Sequence, residues 1–105
     1  MQTTSIAPML SVRRGKAAVE FYKRAFAAEE LSLIESPDGD VVAQLSVQGA
    51  SFWVADESPP HANFSPETLS GSTVRMVVTV EEPDALFAKA VSGGATVISP
   101  MTDHS

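Results

Sequence analysis

Cysteine is absent from this chain, which excludes disulfides, thiolate nucleophiles and every cysteine-based zinc site together. Positive charge is scarce: 7 Lys and Arg stand against 13 Asp and Glu, for a formal charge of -6. No basic run exceeds Arg13-Arg14-Gly15-Lys16, so nucleic acid is excluded as a partner. No segment approaches the roughly 18 consecutive apolar residues of a membrane span, and no basic stretch followed by an apolar run opens the chain. No membrane partner and a cytoplasmic location are the expectation. Neither a Ser-His-Asp order nor a glycine-rich phosphate loop rises above chance, which leaves no ready-made hydrolase or nucleotide site.

What is there is an ordinary globular apolar fraction of 44% in 105 residues, enough for one domain with one core. The text also repeats itself. Ala7-Pro8-Met9-Leu10-Ser11-Val12 leads into Ala17-Ala18-Val19-Glu20-Phe21-Tyr22, and Arg75-Met76-Val77-Val78-Thr79-Val80 leads through Pro83 into Asp84-Ala85-Leu86-Phe87-Ala88. An offset of about 68 residues is too long for a solenoid repeat and suits two copies of a small strand-helix-strand module. In the first copy, residues 6–12 read as a strand. A helix follows, with Ala18, Val19, Phe21, Tyr22, Ala25 and Phe26 in a broad apolar stripe. Strands at 30–35, 41–48 and 51–55 are separated by Pro37-Asp38-Gly39 and Gly49, and form an antiparallel meander.

Residues 56–73 change to Ser, Pro, Asn, Thr and Gly, which reads as a structureless connector or lid. The second copy opens with a strand at 74–80, then a helix from Pro83 to about residue 92 that Gly93-Gly94 ends with a left-handed cap. A last strand is expected at 96–99. The predicted fold class is α+β: two βαβββ-type modules with curved mixed sheets forming a cleft, the second truncated at its C-terminal end. Module 1 occupies about residues 5–56, the linker about 57–73 and partial module 2 about 74–105.

This order resembles the vicinal oxygen chelate superfamily, which includes glyoxalase I, bleomycin-resistance proteins and extradiol dioxygenases. Pro8-Met9-Leu10-Ser11-Val12, Phe21-Tyr22-Lys23-Arg24-Ala25-Phe26, Pro37-Asp38-Gly39 and Gly93-Gly94-Ala95-Thr96 are similar to its PhnB-like branch. The resemblance implies two half-barrels around a shared cleft. It also implies a further hairpin with an Asp-Pro-x-Gly turn, which this sequence does not contain. The chain is then a fragment, or its second half-barrel is open or completed by another chain. The family's divalent metal sits on side chains from the first and fourth strand of each module. Here those positions carry Ala7 or Met9, Trp53 or a neighbour, and Arg75, none of them a ligand for a divalent cation. The resemblance with these departures implies no metal cofactor.

Period-2 alternation separates the strand faces independently. Leu10, Val12, Val41, Ala43, Leu45, Val47, Phe52 and Val54, with Met76, Val78 and Val80, belong beneath the helices. The opposite face is a mixed lining, in which Met9, Gln44, Trp53 and Arg75 are the candidate ligand-binding residues. Trp53 can stack on a planar ligand or simply pack at a sheet or dimer surface. Arg75 can hold a carboxylate or phosphate, or pair with an acid such as Glu81 or Asp56. Gln44 is a hydrogen-bonding group of the cleft or a solvated strand residue. His61 reads as an exposed loop residue and His104 as a residue near a chain end. Glu29-Glu30 and Glu81-Glu82 are adjacent pairs whose members point apart.

The leading expectation is a small-molecule-binding protein of the glyoxalase and bleomycin-resistance type without the usual metal site. The alternative is a metal-dependent glyoxalase-like lyase, isomerase or dioxygenase. An incomplete second sheet leaves a strand edge unpaired, so a homodimer is expected.

Overall fold

The computed structural model describes residues 4–98. Its elements are β1 (Met9–Val12), α1 (Gly15–Phe26), β2 (Glu29–Glu35), β3 (Val41–Val47), β4 (Ala50–Asp56), α2 (Pro66–Leu69) and α3 (Pro83–Ser92), with a 3-10 turn at Pro59–His61. The four strands form one curved sheet in the order β1-β4-β3-β2. β1 runs parallel to β4 and the other pairs are antiparallel. This is a βαβββ module, and the fold class is α+β.

α1 crosses one face of the sheet because its apolar stripe and the sheet's apolar rows have nowhere else to escape water. Val19, Ala28, Ala43, Leu45 and Val54 make the core, with Val12, Ala18, Tyr22, Val47 and Phe52 packed against them. All six strand residues in that set, Val12, Ala43, Leu45, Val47, Phe52 and Val54, lie on the face that alternation assigns beneath the helices, with Leu45 and Val54 at its fully buried centre. Salt bridges border the packing: Lys16 reaches Glu35 and Lys23 reaches Glu30, each at 3.0 Å. Glu29 and Glu30 do point apart, since Glu30 pairs with core-facing Leu45 and Glu29 with Ser46.

The start of α1 has no side-chain cap of its own at Arg14. Asp56, at the far end of β4, supplies it. One carboxylate oxygen accepts the Gly15 N–H at 2.8 Å and the other accepts the Val41 N–H at 2.7 Å, tying the helix, β3 and β4 together. A negative group is also favoured at a helix N-terminus. Gly15 is required there, because a Cβ would collide with the Asp56 carboxylate and the Val41 side chain. α1 ends at Ala27, which adopts the left-handed conformation (φ 54°) without being glycine.

Residues 57–73, expected to be structureless, fold locally. Ser58 and Asn63 form an isolated bridge around the 3-10 turn, and Ser65 caps α2 by accepting the Thr68 N–H. Glu57 fastens the loop: it accepts the Ser65 N–H at 2.8 Å and the Thr68 hydroxyl at 2.9 Å, beside Arg13. These bonds hold its carboxyl below the usual range, the Ser65 N–H contributing most. Local capping and a reachable carboxylate substitute for the apolar periodicity that this segment lacks.

The second module is represented by α3, which packs on α1. Gly93 permits the close approach, since a Cβ there would lie 2.7 Å from Ala25 Cα, and its carbonyl accepts the Arg24 Nε–H at 2.9 Å. The left-handed residue of the expected cap is Gly94 (φ 116°), while Gly93 remains right-handed. The strand expected at 74–80 does not form a ladder among the described residues, and neither do residues 96–98. The reason is physical: a strand exists only through a partner, and the 74–80 segment has none within the described sheet. Residue 99 and His104 lie outside the described residues.

Candidate functional site

Register brings three of the expected residues into one line. Met9 on β1 faces Trp53 on β4, Trp53 faces Gln44 on β3, and Gln44 faces Ser32 on β2. With strands about 4.8 Å apart, this row crosses the sheet over roughly 14 Å. The adjacent row, Leu10, Val54, Ala43 and Leu33, points under α1, and Val54 and Ala43 are fully buried there. The Met9-Trp53-Gln44 row therefore projects from the opposite, helix-free face. Ser11, Ala55, Val42 and Ile34 form the next row on that face. Met9 is 55% exposed and Ile34 67%, while Trp53 and Gln44 are half-buried.

This face offers one large π surface, one amide and a flexible thioether, with small side chains between them. Such a lining can stack a planar ring, give and accept hydrogen bonds, and adapt its shape. It holds no titratable acid or base in the central row. Among the described residues no group of three or more His, Cys, Asp or Glu side chains comes together. Methionine, tryptophan and arginine at the positions implied for the metal ligands are the wrong donor chemistry for a hard divalent cation.

Arg75 stands apart from this row. It is exposed on the 74–80 segment, and among the described residues it forms no ion pair. Asp56, one of its two expected partners, is engaged by Gly15 and Val41. His61 is exposed, with Nδ1 2.7 Å from Ser58 Oγ.

A cavity of about 510 Å³ lies on the other side of the sheet, between α1, the ends of β3 and β4, and residues 76–80. Phe21, Tyr22, Phe26, Phe52, Met76 and Val78 are among its lining residues, and none of Met9, Gln44, Trp53 or Arg75 is. Tyr22 meets Phe52 edge-to-face at 5.2 Å and Phe21 at 5.4 Å, and burial pushes its hydroxyl pKa up. Sequence reasoning treated these aromatics as helix stripe and strand core. Only the placement of residues 76–80 across from them reveals a hollow.

No family model matches the chain. An uncharacterized protein of Mycobacterium bovis is 33% identical over 104 residues, covering 95% of this chain and 68% of its own length. A Mycobacterium tuberculosis protein, likewise uncharacterized, is 33% identical over 95% of this chain and 61% of its own. The chain thus spans about two thirds of the length of these relatives. Among solved structures, an Arabidopsis thaliana gene product has a TM-score of 0.63 at 28% identity, covering 90% of this chain and 73% of its own. TioX from Micromonospora sp. ML1 has a TM-score of 0.66 at 21% identity, with 96% and 79% covered. The fosfomycin resistance protein FosX of Listeria monocytogenes, solved with Mn(II) and sulfate, has a TM-score of 0.61 at 16% identity, with 91% and 75% covered. The last two likenesses concern the fold. Among the described residues no helix is long and apolar enough to cross a membrane. The chain belongs to one family with the mycobacterial proteins, within the vicinal oxygen chelate superfamily.

Proposed function

We propose that this protein binds a small, largely planar organic molecule reversibly on the helix-free face of its sheet, in the manner of the PhnB-like and bleomycin-resistance members of the superfamily. The observation that carries the reading is the cross-strand row Met9-Trp53-Gln44. Trp53 stacks on the ligand, Gln44 orients it by hydrogen bonds and Met9 closes one side. Arg75 lies off this row. The reading needs no metal, because the residues at the family's ligand positions are not metal donors.

Trp53 is the only tryptophan, so its fluorescence is a built-in reporter of the site. Titration with bleomycin, fosfomycin and a panel of planar aromatic compounds should give saturable quenching with at least one of them. Gln44→Ala should weaken that binding about tenfold, equivalent to about 1.4 kcal/mol. Quenching that Gln44→Ala leaves unchanged, or no quenching across the panel, would refute the assignment. A stoichiometric divalent ion in purified protein would favour a metal-dependent lyase, isomerase or dioxygenase instead.

A further inference from the structure

We propose that the helix-free face selects by charge: it takes a planar aromatic amine in its protonated form, with the ring on Trp53 and the ammonium met by Glu29. This rests on the reading of that face as the ligand site and adds the class of ligand to it.

β2 carries three acids, Glu29, Glu30 and Glu35, in two different settings. Glu30 and Glu35 pair in register with core residues Leu45 and Val41, and on that side Lys23 and Lys16 reach them at 3.0 Å each. Glu29 pairs with Ser46, which pairs with Ser51, so it stands on the opposite face, one row beyond Met9-Trp53-Gln44. It is exposed, and among the described residues its carboxylate meets no cation. From Trp53 to Glu29 is two strand spacings across and two residues along, a diagonal of roughly 12 Å between backbone positions. The reach of the indole and of the glutamate side chain leaves a gap that a two-ring aromatic amine bridges.

The electrostatics of the face run one way. An indole ring attracts cations through its quadrupole, and a carboxylate does so through its charge. Gln44, with Ser32 and Ser46 beside it, is neutral, and all three can accept hydrogen bonds from an ammonium. The four strands contain no lysine or arginine. Arg13 continues the face one place beyond the Val12–Asp56 pair, at the end away from Glu29, and it is already held. Glu57 lies 3.9 Å and Glu67 3.5 Å from its guanidinium, which also donates to Thr68 Oγ1 at 3.2 Å. An anionic ligand therefore meets no unengaged cation on the sheet, whereas a cationic one meets Glu29.

Calorimetric titration of the full chain at neutral pH tests this with three ring-matched probes: 4-aminoquinoline as the cation, quinoline as the neutral ring and quinoline-4-carboxylate as the anion. Salt of about 0.15 M screens the general pull of the -6 charge beyond about 8 Å. The amine should bind about tenfold more tightly than the carboxylate, with quinoline between them. Glu29→Gln should weaken the amine about threefold, the scale of an exposed ion pair, and leave quinoline unchanged. Glu35→Gln removes the same charge from the other face and should change neither. Equal affinities for amine and carboxylate, a preference undiminished by Glu29→Gln, or one that Glu35→Gln lowers as much would each overturn the inference. Quinoline separates this inference from the reading beneath it. If quinoline binds and Gln44→Ala weakens it, the site stands even where the charge preference fails. Binding that Gln44→Ala leaves unchanged for all three probes, or no binding at all, removes site and selection together.

Discussion

Residues 9–56 and residues 74–98 contain similar text and behave differently. The first region forms a sheet, buries Leu45 and Val54 completely, and ties helix to strands through Asp56. The second keeps its helix and lacks a ladder among the described residues. Helical hydrogen bonds close within four residues, so α3 forms locally and docks on α1 through Ala90 and Gly93. Strand hydrogen bonds need a neighbour. β-propensity in residues 74–80 therefore makes no ladder among the described residues, whereas the same propensity in β3, flanked on both sides, gives the centre of a core.

Substitutions should break that comparison most sharply at its buried end. Leu45→Ala should cost about 3–5 kcal/mol in urea unfolding, whereas Val77→Ala should change monomer stability by less than about 0.5 kcal/mol. Equal costs would mean that residues 74–80 are packed as tightly as β3. Asp56→Ala removes the acceptor for two backbone N–H groups and should cost about 2–4 kcal/mol by the same measurement. A loss under about 0.5 kcal/mol would show that the capping is incidental. Ala27→Gly relieves a left-handed alanine at the end of α1 and should stabilise the first region by about 1 kcal/mol.

Acid should act on the loop between the two regions. The folded pKa of Glu57 is depressed, so its contribution is fully present above the ordinary carboxylate range and is lost as pH falls through the depressed value. Exchange of the Ser65 amide, which donates to Glu57, should accelerate in that acid range relative to the core of β3 once intrinsic rates are corrected. Glu57→Gln should flatten the response. An unaltered pH profile in that variant would remove Glu57 as the cause.

The first module was legible because its signals are local. Period-2 alternation separated Ala43, Leu45 and Val54 from Val42, Gln44 and Trp53, and Pro37-Asp38-Gly39 marked a turn closed by the Gly39 N–H to Ser36 carbonyl bond. Alternation could also place Met9, Gln44 and Trp53 on one face. It could not show that they are direct cross-strand neighbours, because register depends on turn geometry and on the parallel β1–β4 pairing. Asp56 escaped notice as a cap since it acts 41 residues from Gly15. Arg75 was grouped with the other three on the assumption of a second sheet. Without a ladder its position does not follow from alternation. The folded connector was missed because its order comes from Glu57 and Ser65 side chains, which periodicity does not register.

Amide hydrogen exchange, resolved by residue, tests the central contrast most directly. The account predicts slow exchange in β3 and β4 and fast exchange across residues 74–80. Protection of residues 74–80 equal to that of β3 would contradict it.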